Sequence, residues 1–358
     1  RGLGELVTLP DARFAGSGSP AALSPSNPGT FLHLTKTSIN VTILGAAAHG
    51  TQAGSSRAIG NIRPAGFQAA APLPTKTRIL LGIDQRFAQD FDVWSDSSTG
   101  TTYRYHVVGR GGIYNFKAGI AQALFDRVCL GLEYCRLLGG SHEAWRFQVT
   151  EGGGSSTDTI EIDYSGGAVR LGTSFQTGLF TIAAAYEPGF NITCQRFKRV
   201  HGVVSDSVRT YRIHFPQTLC FGSAIEPTEG LMLLTGLELR PWSRATVNDT
   251  SVEDFRNAWR GSIGAELEML PDHSVRIGYS HEAWYYEARP SLHQLRAPIK
   301  EHGLHLGTGI PIPKFGSLEI SAELLFRNSQ PLKETAGRLM LTLAYSETWA
   351  KRTRRWGY

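Results

Sequence analysis

The stretch SLEISAELLFR, residues 317–327, alternates apolar and polar side chains at nearly every position. Successive side chains of an extended chain point to opposite faces, so the pattern predicts a β-strand with one apolar and one polar face. The polar face carries serine, glutamate and arginine, and Leu325 is its one exception. The apolar face consists of Leu318, Ile320, Ala322, Leu324 and Phe326.

The same period of two recurs along most of the chain. One example is Ile263, Ala265 and Leu267, which alternate with Glu266 and Glu268. Counting such segments predicts fourteen strands. Their predicted bounds are 37–48, 58–70, 77–88, 103–123, 126–138, 157–177, 178–188, 208–225, 229–240, 257–269, 273–287, 301–312, 316–327 and 337–349.

The connections between these strands tend to alternate in length. Tight turns are predicted at 124–125, 227–228, 270–272 and 313–315, whereas longer polar loops are predicted at 89–102, 139–156, 189–207, 241–256, 288–300 and 328–336. Short turns on one rim and long loops on the other are typical of a bacterial outer-membrane barrel. We therefore predict an all-β fold, a 14-stranded antiparallel transmembrane β-barrel in which about 12–16 strands are possible. The alternative is a soluble sandwich or propeller.

Aromatic placement favours the membrane barrel over the soluble alternatives. Trp and Tyr prefer the boundary between membrane and water. An even number of strands would bring both termini to the short-turn rim, which is periplasmic in an outer-membrane barrel. The tryptophans near predicted strand ends or in adjoining loops are Trp94, Trp145, Trp242, Trp259, Trp284 and Trp349.

Composition excludes several other classes of protein. The chain has 358 residues, of which 41% are hydrophobic and 19% charged, and its least polar stretches are much shorter than the ~20 residues of a membrane helix. The net charge of +5 is spread along the chain, which argues against a nucleic-acid interface. A mean hydropathy of −0.18 suits both a soluble protein and a barrel whose two faces cancel.

The periodicity divides the chain into three regions. Residues 1–36 are rich in proline, glycine and serine, and we expect either an N-terminal hatch inside the barrel or a periplasmic extension. Residues 37–349 form the predicted barrel. Residues 350–358 form a short basic periplasmic tail, which could bind anionic headgroups or a partner, or simply be solvated.

The charged residues on the polar faces of the strands are predicted to line the lumen. Mixed charges there can pair across the lumen and hold a plug in place, or form a self-paired interior, or guide a substrate. The predicted lumen-facing residues are Arg78, Asp84, Arg86, Glu133, Glu266, Glu268, Arg276, Glu282, Glu319, Glu323 and Arg327.

Three prolines surround the second predicted strand. Pro64 lies within it, and Pro72 and Pro74 follow it just before the third strand. Each proline removes a donor from the hydrogen-bond ladder, so we predict a lateral opening in the wall near strands two and three. The alternative is a proline-rich periplasmic turn.

The four cysteines carry no metal-binding signature. Cys129, Cys135, Cys194 and Cys220 lack a CxxC spacing and have no clustered histidines. We expect most of them to be small buried residues. The alternative is a disulfide that involves Cys194 or Cys220.

Two short motifs, ARFAGSG at residues 12–18 and the Asn27-Pro28-Gly29 triplet, precede the first predicted strand. They resemble the N-terminal hatch motif of the FadL-type fatty-acid transporter superfamily of outer membranes, in which alanine is usual where Gly29 stands. In the C-terminal half, residues 260–266, 275–279, 307–311 and 316–319 also resemble this superfamily. The resemblance implies a fourteen-stranded barrel, a hatch, and passive uptake of hydrophobic molecules such as long-chain fatty acids, often with lateral escape. The superfamily also includes PorV-type barrels that serve protein secretion or assembly, which is the alternative function.

No catalytic motif stands out in the sequence. The chain has no GxSxG, HExxH or Walker A pattern, so we expect no enzymatic activity, no cofactor and no bound metal. The predicted partners are outer-membrane lipid, an apolar small-molecule ligand, and a protein partner at the long extracellular loops or the periplasmic rim. The sequence does not specify the substrate, the gating mechanism or the oligomeric state.

Overall fold

A closed ring of fourteen antiparallel strands forms the protein in a computed structural model, which confirms the predicted strand number. The structure describes residues 5–6, 13, 15, 17, 21–24, 26–31, 34–52, 55–97, 103–149, 154–200, 203–204, 208–253, 255–270, 273–288, 297–313, 315–329 and 332–347. The first six strands are β1 (Thr37–Gln52), β2 (Ser55–Pro72), β3 (Thr77–Ala88), β4 (Tyr103–Leu124), β5 (Val128–Val149) and β6 (Ser155–Gln176). Next come β7 (Phe180–Glu187 and Phe190–Val200) and β8 (Arg209–Phe215 and Thr218–Thr228). The last six are β9 (Leu231–Arg240), β10 (Ala258–Leu270), β11 (His273–Ala288), β12 (Ala297–Ile312), β13 (Gly316–Ser329) and β14 (Leu332–Glu347).

The ring closes between the first and last strands. β1 pairs with β14 over their whole length, from Thr37 opposite Glu347 to Gln52 opposite Leu332. Closure removes the free edge that an open sheet would expose. Within the described residues, no helix is long and apolar enough to cross a membrane.

The alternation that predicted the strands separates the two faces of the wall. In β13, Leu324 and Phe326 are exposed on the outer face, whereas Glu323 and Arg327 are buried toward the lumen. Leu325, the exception in the pattern, is also buried. The outer face is covered with exposed large apolar side chains, which is typical of a barrel whose wall contacts lipid.

Several predicted loops are strands. β5 extends to Val149 and β6 starts at Ser155, so most of the predicted 139–156 loop is a hairpin. β13 and β14 likewise fill most of 328–336, and much of 189–207 belongs to β7. These segments are polar because they extend beyond the apolar band. Polarity there marks exposure to water and not the end of the hydrogen-bond ladder.

Two neighbouring strands break at a proline. β7 is interrupted at Pro188 and Gly189, and β8 at Pro216 and Gln217. Directly after the first break and before the second, Phe190 pairs with Phe215, and their rings stack with centroids 5.0 Å apart. The paired breaks therefore present two aromatic rings at one level of the wall.

The described residues of the N-terminal segment, between residues 13 and 31, pack against the inner wall. Ala15 is fully buried against Leu44, Ala65 and Met340. Ala22 is fully buried in a second cluster with Ala183, Ala185 and Cys220. All four cysteines are buried and free, so the disulfide alternative is not realised.

Candidate functional site

Asn27 fixes the N-terminal segment to the wall. Its side-chain nitrogen donates to the carbonyl oxygens of Ala22 at 2.7 Å and Ala184 at 3.2 Å. Its side-chain oxygen accepts from the backbone nitrogen of Gly29 at 2.8 Å, which caps the short 3-10 turn Pro28–Thr30. Asn27 is fully buried, so these bonds satisfy its amide where water cannot.

Glycines in the wall let this turn approach the backbone of two strands. A β carbon on Gly131 of β5 would lie 2.3 Å from the carbonyl carbon of Pro28, and one on Gly172 of β6 would lie 1.8 Å from the side-chain oxygen of Asn27. A β carbon on Gly29 itself would lie 2.5 Å from the backbone nitrogen of Thr173. The close contact explains why glycine, and not alanine, occupies position 29.

A network of buried charges lies next to this turn. Arg170 on β6 donates to the carbonyl oxygen of Ser26 at 2.8 Å and to Glu187 at 3.0 Å. Glu187 also accepts hydrogen bonds from a second arginine, Arg86 on β3, whose two terminal nitrogens donate to its two carboxylate oxygens. Glu133 lies 3.6 Å from Arg170. The network therefore joins the wall strands β3, β5, β6 and β7 through ion pairs and reaches the N-terminal segment through the hydrogen bond to Ser26.

The same network borders an aromatic cavity of about 70 Å³ in the lumen. Its apolar lining includes Phe87, Phe190, Phe215 and Trp242, and the ring of Phe215 lies edge-on to that of Trp242 with centroids 5.5 Å apart. The guanidinium of Arg86 lies 5.1 Å from the centroid of Phe190, within cation–π range. Trp242 is thus buried in the lumen, and its predicted place at the membrane boundary is wrong.

The charged residues predicted on the polar faces of the strands have these positions. On β3 and β4, Asp84 lies 3.2 Å from Lys117, and Arg78 is buried near the turn that precedes β3. On β10 and β11, Arg276 pairs with Glu319 at 2.6 Å and with Glu266 at 3.2 Å. The other contacts are Glu282 with Arg240 at 3.3 Å, Arg327 with Glu301 at 2.6 Å, and Glu323 with Arg338 at 3.3 Å. Glu268 differs, because it is exposed near the end of β10.

A buried hydrogen-bond chain adjoins the last of these pairs. The Nε2 of His305 lies 2.9 Å from the hydroxyl of Ser280, and its Nδ1 lies 3.2 Å from Glu323. All three side chains are buried. A β carbon on Gly303 would lie 2.5 Å from the Ser280 hydroxyl, so the missing side chain at 303 makes room for the chain.

The sequence reasoning missed several members of the lumen network. Arg170, Glu187, Lys117 and Arg240 were not among the predicted lumen residues, although each alternates with apolar neighbours along its strand. Glu187 is the last residue of a strand segment of only eight residues that ends before Pro188. A segment this short contains few alternations, so its period of two is hard to detect. Within the part of the chain that the structure describes, no group of three potential metal ligands comes together.

The ladder between β2 and β3 covers only part of β2. Pairing runs from Pro72 opposite Arg78 to Gly66 opposite Asp84. The described residues of β2 before Gly66 pair with β1 alone. Beyond Asp84, β3 is continuously buried, and Phe87 and Ala88 pair with Leu6 and Glu5 of the N-terminal segment. β3 thus leaves β2, although it stays paired with β4 as far as Ala88, which lies opposite Gly112.

The three prolines occupy different places relative to this interruption. Pro64 lies opposite Ile43 at an irregularity in the β1–β2 register, just beyond the last paired residue, Gly66. Pro72 is the last residue of β2 and pairs with Arg78, and Pro74 lies in the turn before β3. Only Pro64 is therefore adjacent to the interruption.

Side chains bridge the interruption farther along. Asp90, after the end of β3, accepts a hydrogen bond from Asn61 of β2 at 2.6 Å and forms an ion pair with Arg63. Asp84, Arg86 and Phe87 also line the aromatic cavity, so the cavity borders the part of β3 where pairing with β2 ends.

Comparisons with known proteins agree with this geometry. No protein-family model matches the chain, and no curated protein matches it in sequence. A crystal structure of a FadL homologue from Pseudomonas aeruginosa aligns with a TM-score of 0.70 at 12% identity, covering 96% of this chain and 99% of that chain. The chain has the FadL-type fold.

Two further FadL-type structures align over nearly the whole chain. The toluene transporter TodX of Pseudomonas putida gives a TM-score of 0.63 at 13% identity and covers 97% of this chain and 99% of its own. The monoaromatic hydrocarbon channel CymD gives 0.61 at 11% identity and covers 96% and 99%. At these identities the likeness establishes the fold.

Proposed function

We propose that the protein is an outer-membrane channel for the passive uptake of hydrophobic small molecules, with long-chain fatty acids and monoaromatic compounds as candidate substrates. The observation that most supports this proposal is that the hydrogen-bond ladder between β2 and β3 stops beside an aromatic cavity. The exposed apolar band supports the membrane location. The FadL-type neighbours, which include a toluene transporter, support the substrate class.

The proposed route runs from the extracellular side into the lumen, through the aromatic cavity, and sideways past β3 into the membrane. Phe87, Phe190 and Phe215 would stack against the apolar body of the substrate. The cavity of about 70 Å³ is smaller than the ~150 Å³ that holds benzene in an engineered core, so a substrate must displace side chains. Pro64 would mark the rim of the lateral opening.

In this proposal the N-terminal segment, residues 1–36, is the hatch. The bonds of Asn27 and the close contacts of Pro28 and Gly29 would keep it seated against β5 and β6. A seated hatch blocks the periplasmic end of the lumen, so an apolar molecule leaves through the wall and never meets the periplasmic water. The termini would then lie on the periplasmic rim, which the short turns define.

Bound ligand is the direct test of this proposal. Native mass spectrometry on protein extracted gently from its own membrane should detect a retained small apolar molecule. Ala185→Trp fills the cavity from β7, and we expect it to abolish retention. Ile182→Trp, on the outer face of the same strand segment, is the matched control and should retain the ligand. A stoichiometric polypeptide in place of a small molecule would contradict the channel and favour a PorV-type role.

A further inference from the structure

The outer wall has an apolar groove of about 890 Å³ that crosses β12, β13, β14, β1 and β2. One row of cross-strand neighbours forms its middle: Leu304, Leu324, Gly337, Ala47 and Gly60. The groove exists because the middle of this row has almost no side chains. A β carbon on Gly337 would meet nothing within 4 Å.

Basic side chains border one end of this groove. These side chains lie on the outer face, on the side of the groove toward the loops between β11 and β12 and between β13 and β14. The first row of cross-strand neighbours beyond the groove contains His302, and the second contains Lys300 and Lys333. The two lysines flank Asn328 on β13, so they lie two strand spacings, or about 10 Å, apart. All four side chains are exposed.

On this side of the groove, no described carboxylate of β12, β13, β14 or β1 shares the outer face with these charges. In the described parts of β12, β13, β14 and β1, the outward positions beyond the groove hold no carboxylate, because Glu301 and Glu334 point inward to Arg327. Neither Lys300 nor Lys333 forms an ion pair with a described residue. The strands across the barrel differ, because the outward Arg199 there lies 3.9 Å from Glu161 and the outward Arg212 lies 2.8 Å from Asp249.

We propose that this surface binds one phosphorylated lipid of the outer leaflet, with an acyl chain in the groove and a phosphate between Lys300 and Lys333. The two features match the two halves of such a molecule. An acyl chain fills an apolar groove floored by glycine and alanine, and ammonium groups that pair with no described carboxylate attract phosphate at the headgroup level. His302, held by Tyr279 at 2.7 Å, lies between the two parts.

The proposal rests on the membrane location in the proposed function and not on transport. The probe is lipid A, a bis-phosphorylated glycolipid, titrated against the detergent-purified full chain and scored by native mass spectrometry. Wild-type protein should retain one molecule, and dephosphorylated lipid A should be retained much less. Ala185→Trp, which fills the aromatic cavity, should leave lipid retention unchanged. Failure of the channel proposal can therefore be distinguished from failure of the lipid proposal.

Two variants test the two halves of the site. The double variant Lys300→Gln/Lys333→Gln should weaken retention roughly tenfold to thirtyfold, because each lysine near anionic lipid contributes about fivefold in affinity. Its control is Arg199→Gln/Arg212→Gln, where two outward charges are already paired with Glu161 and Asp249. Gly337→Leu fills the groove without a clash and should also weaken retention, whereas Ala265→Leu on the outer face of β10 should not.

Three results would overturn the assignment. The first is equal retention of phosphorylated and dephosphorylated lipid. The second is equal loss in the lysine variant and its charge control. The third is a Gly337→Leu protein that retains lipid normally but takes up apolar compounds more slowly, which would make the groove part of the substrate exit. Before the titration, the difference in gel migration between heated and unheated samples confirms that each variant is folded.

Discussion

Gly29 in the N-terminal segment and Gly172 in β6 approach each other so closely that neither position has room for a β carbon. A β carbon on Gly29 would lie 2.6 Å from the carbonyl carbon of Gly172, and one on Gly172 would lie 2.7 Å from the backbone nitrogen of Gly29. The contact is between two backbones, which cannot move aside as a flexible side chain can. The seating of the N-terminal segment therefore depends on these two glycines.

Gly29→Ala should unseat the segment. We expect a loss of at least ~1–3 kcal/mol in the free energy of unfolding, since overpacking against a backbone has no cheap relief. Urea unfolding measures this loss, and limited proteolysis should show faster cleavage within residues 1–36. The control is Gly178→Ala, where a β carbon would meet nothing within 4 Å. Equal stability of the two variants would contradict the close contact.

Glu187→Gln should be among the most damaging single changes in the lumen. It removes the carboxylate that Arg86 and Arg170 share, and breaking a buried ion pair typically costs ~3–5 kcal/mol. Glu161→Gln on the outer surface removes two longer contacts, to His142 and Arg199, and should cost less than ~1 kcal/mol. Chemical unfolding of both variants compares them. A similar cost for both would show that the lumen network is solvated.

Gly303→Ala should break the Ser280–His305 hydrogen bond. The new β carbon would lie 2.5 Å from the Ser280 hydroxyl and 2.8 Å from the His305 Nε2, so one of them must move. We expect a loss of ~1–3 kcal/mol for the disturbed buried polar groups. Adding Ser280→Ala removes the nearest atom, so the double variant should lose less than the sum of the single losses. Strict additivity would contradict the proposed clash.

A carboxyl group in the turn between β4 and β5 should make the free energy of unfolding depend on pH. Lys76 holds the pKa of the exposed Asp126 carboxyl below its ordinary value of 3.8 through a hydrogen bond and charge attraction. A carboxyl whose folded pKa is lowered stabilises the fold above the unfolded pKa and loses that contribution as pH falls through the folded pKa.

Asp126→Asn should therefore destabilise the protein near neutral pH and should no longer change its stability in acid. The difference in unfolding free energy from wild type should stay constant above pH ~5 and shrink as the pH falls below 3.8. Urea unfolding across this range measures it. In a Lys76→Gln background, Asp126→Asn should have no pH-dependent effect, and a persistent dependence there would identify another partner.

The strand number and the faces of the wall could be predicted because one period of two governs both. Glu319, Glu323 and Arg327 were assigned to the lumen from residues 317–327 alone, and all three are buried there. Strand ends could not be predicted in the same way. The hairpin between β13 and β14 continues past the apolar band, where polar residues resemble a loop although the ladder persists.

The site itself depends on contacts that sequence spacing does not encode. Arg86 and Glu187 lie 101 residues apart, and Phe190 and Phe215 of the aromatic cavity meet where the breaks at Pro188 and Pro216 are adjacent in space. The hatch motif was recognisable at Asn27, but the reason for Gly29 required the positions of Gly131 and Gly172. The point where β3 leaves β2 has a signal only in retrospect, as the loss of alternating burial after Asp84.

Closing the interruption between β2 and β3 tests the channel most directly. Asn61→Cys and Asp90→Cys, joined by a short thiol cross-linker, tie β2 to the end of β3, while the four native cysteines are buried and protected. Uptake of labelled toluene and of a long-chain fatty acid is then measured with proteoliposomes before and after cross-linking, with uncross-linked protein as the control. We predict that the cross-link stops uptake of the transported compound but leaves its binding in the cavity intact. Unchanged uptake by fully cross-linked protein would contradict lateral escape through this part of the wall.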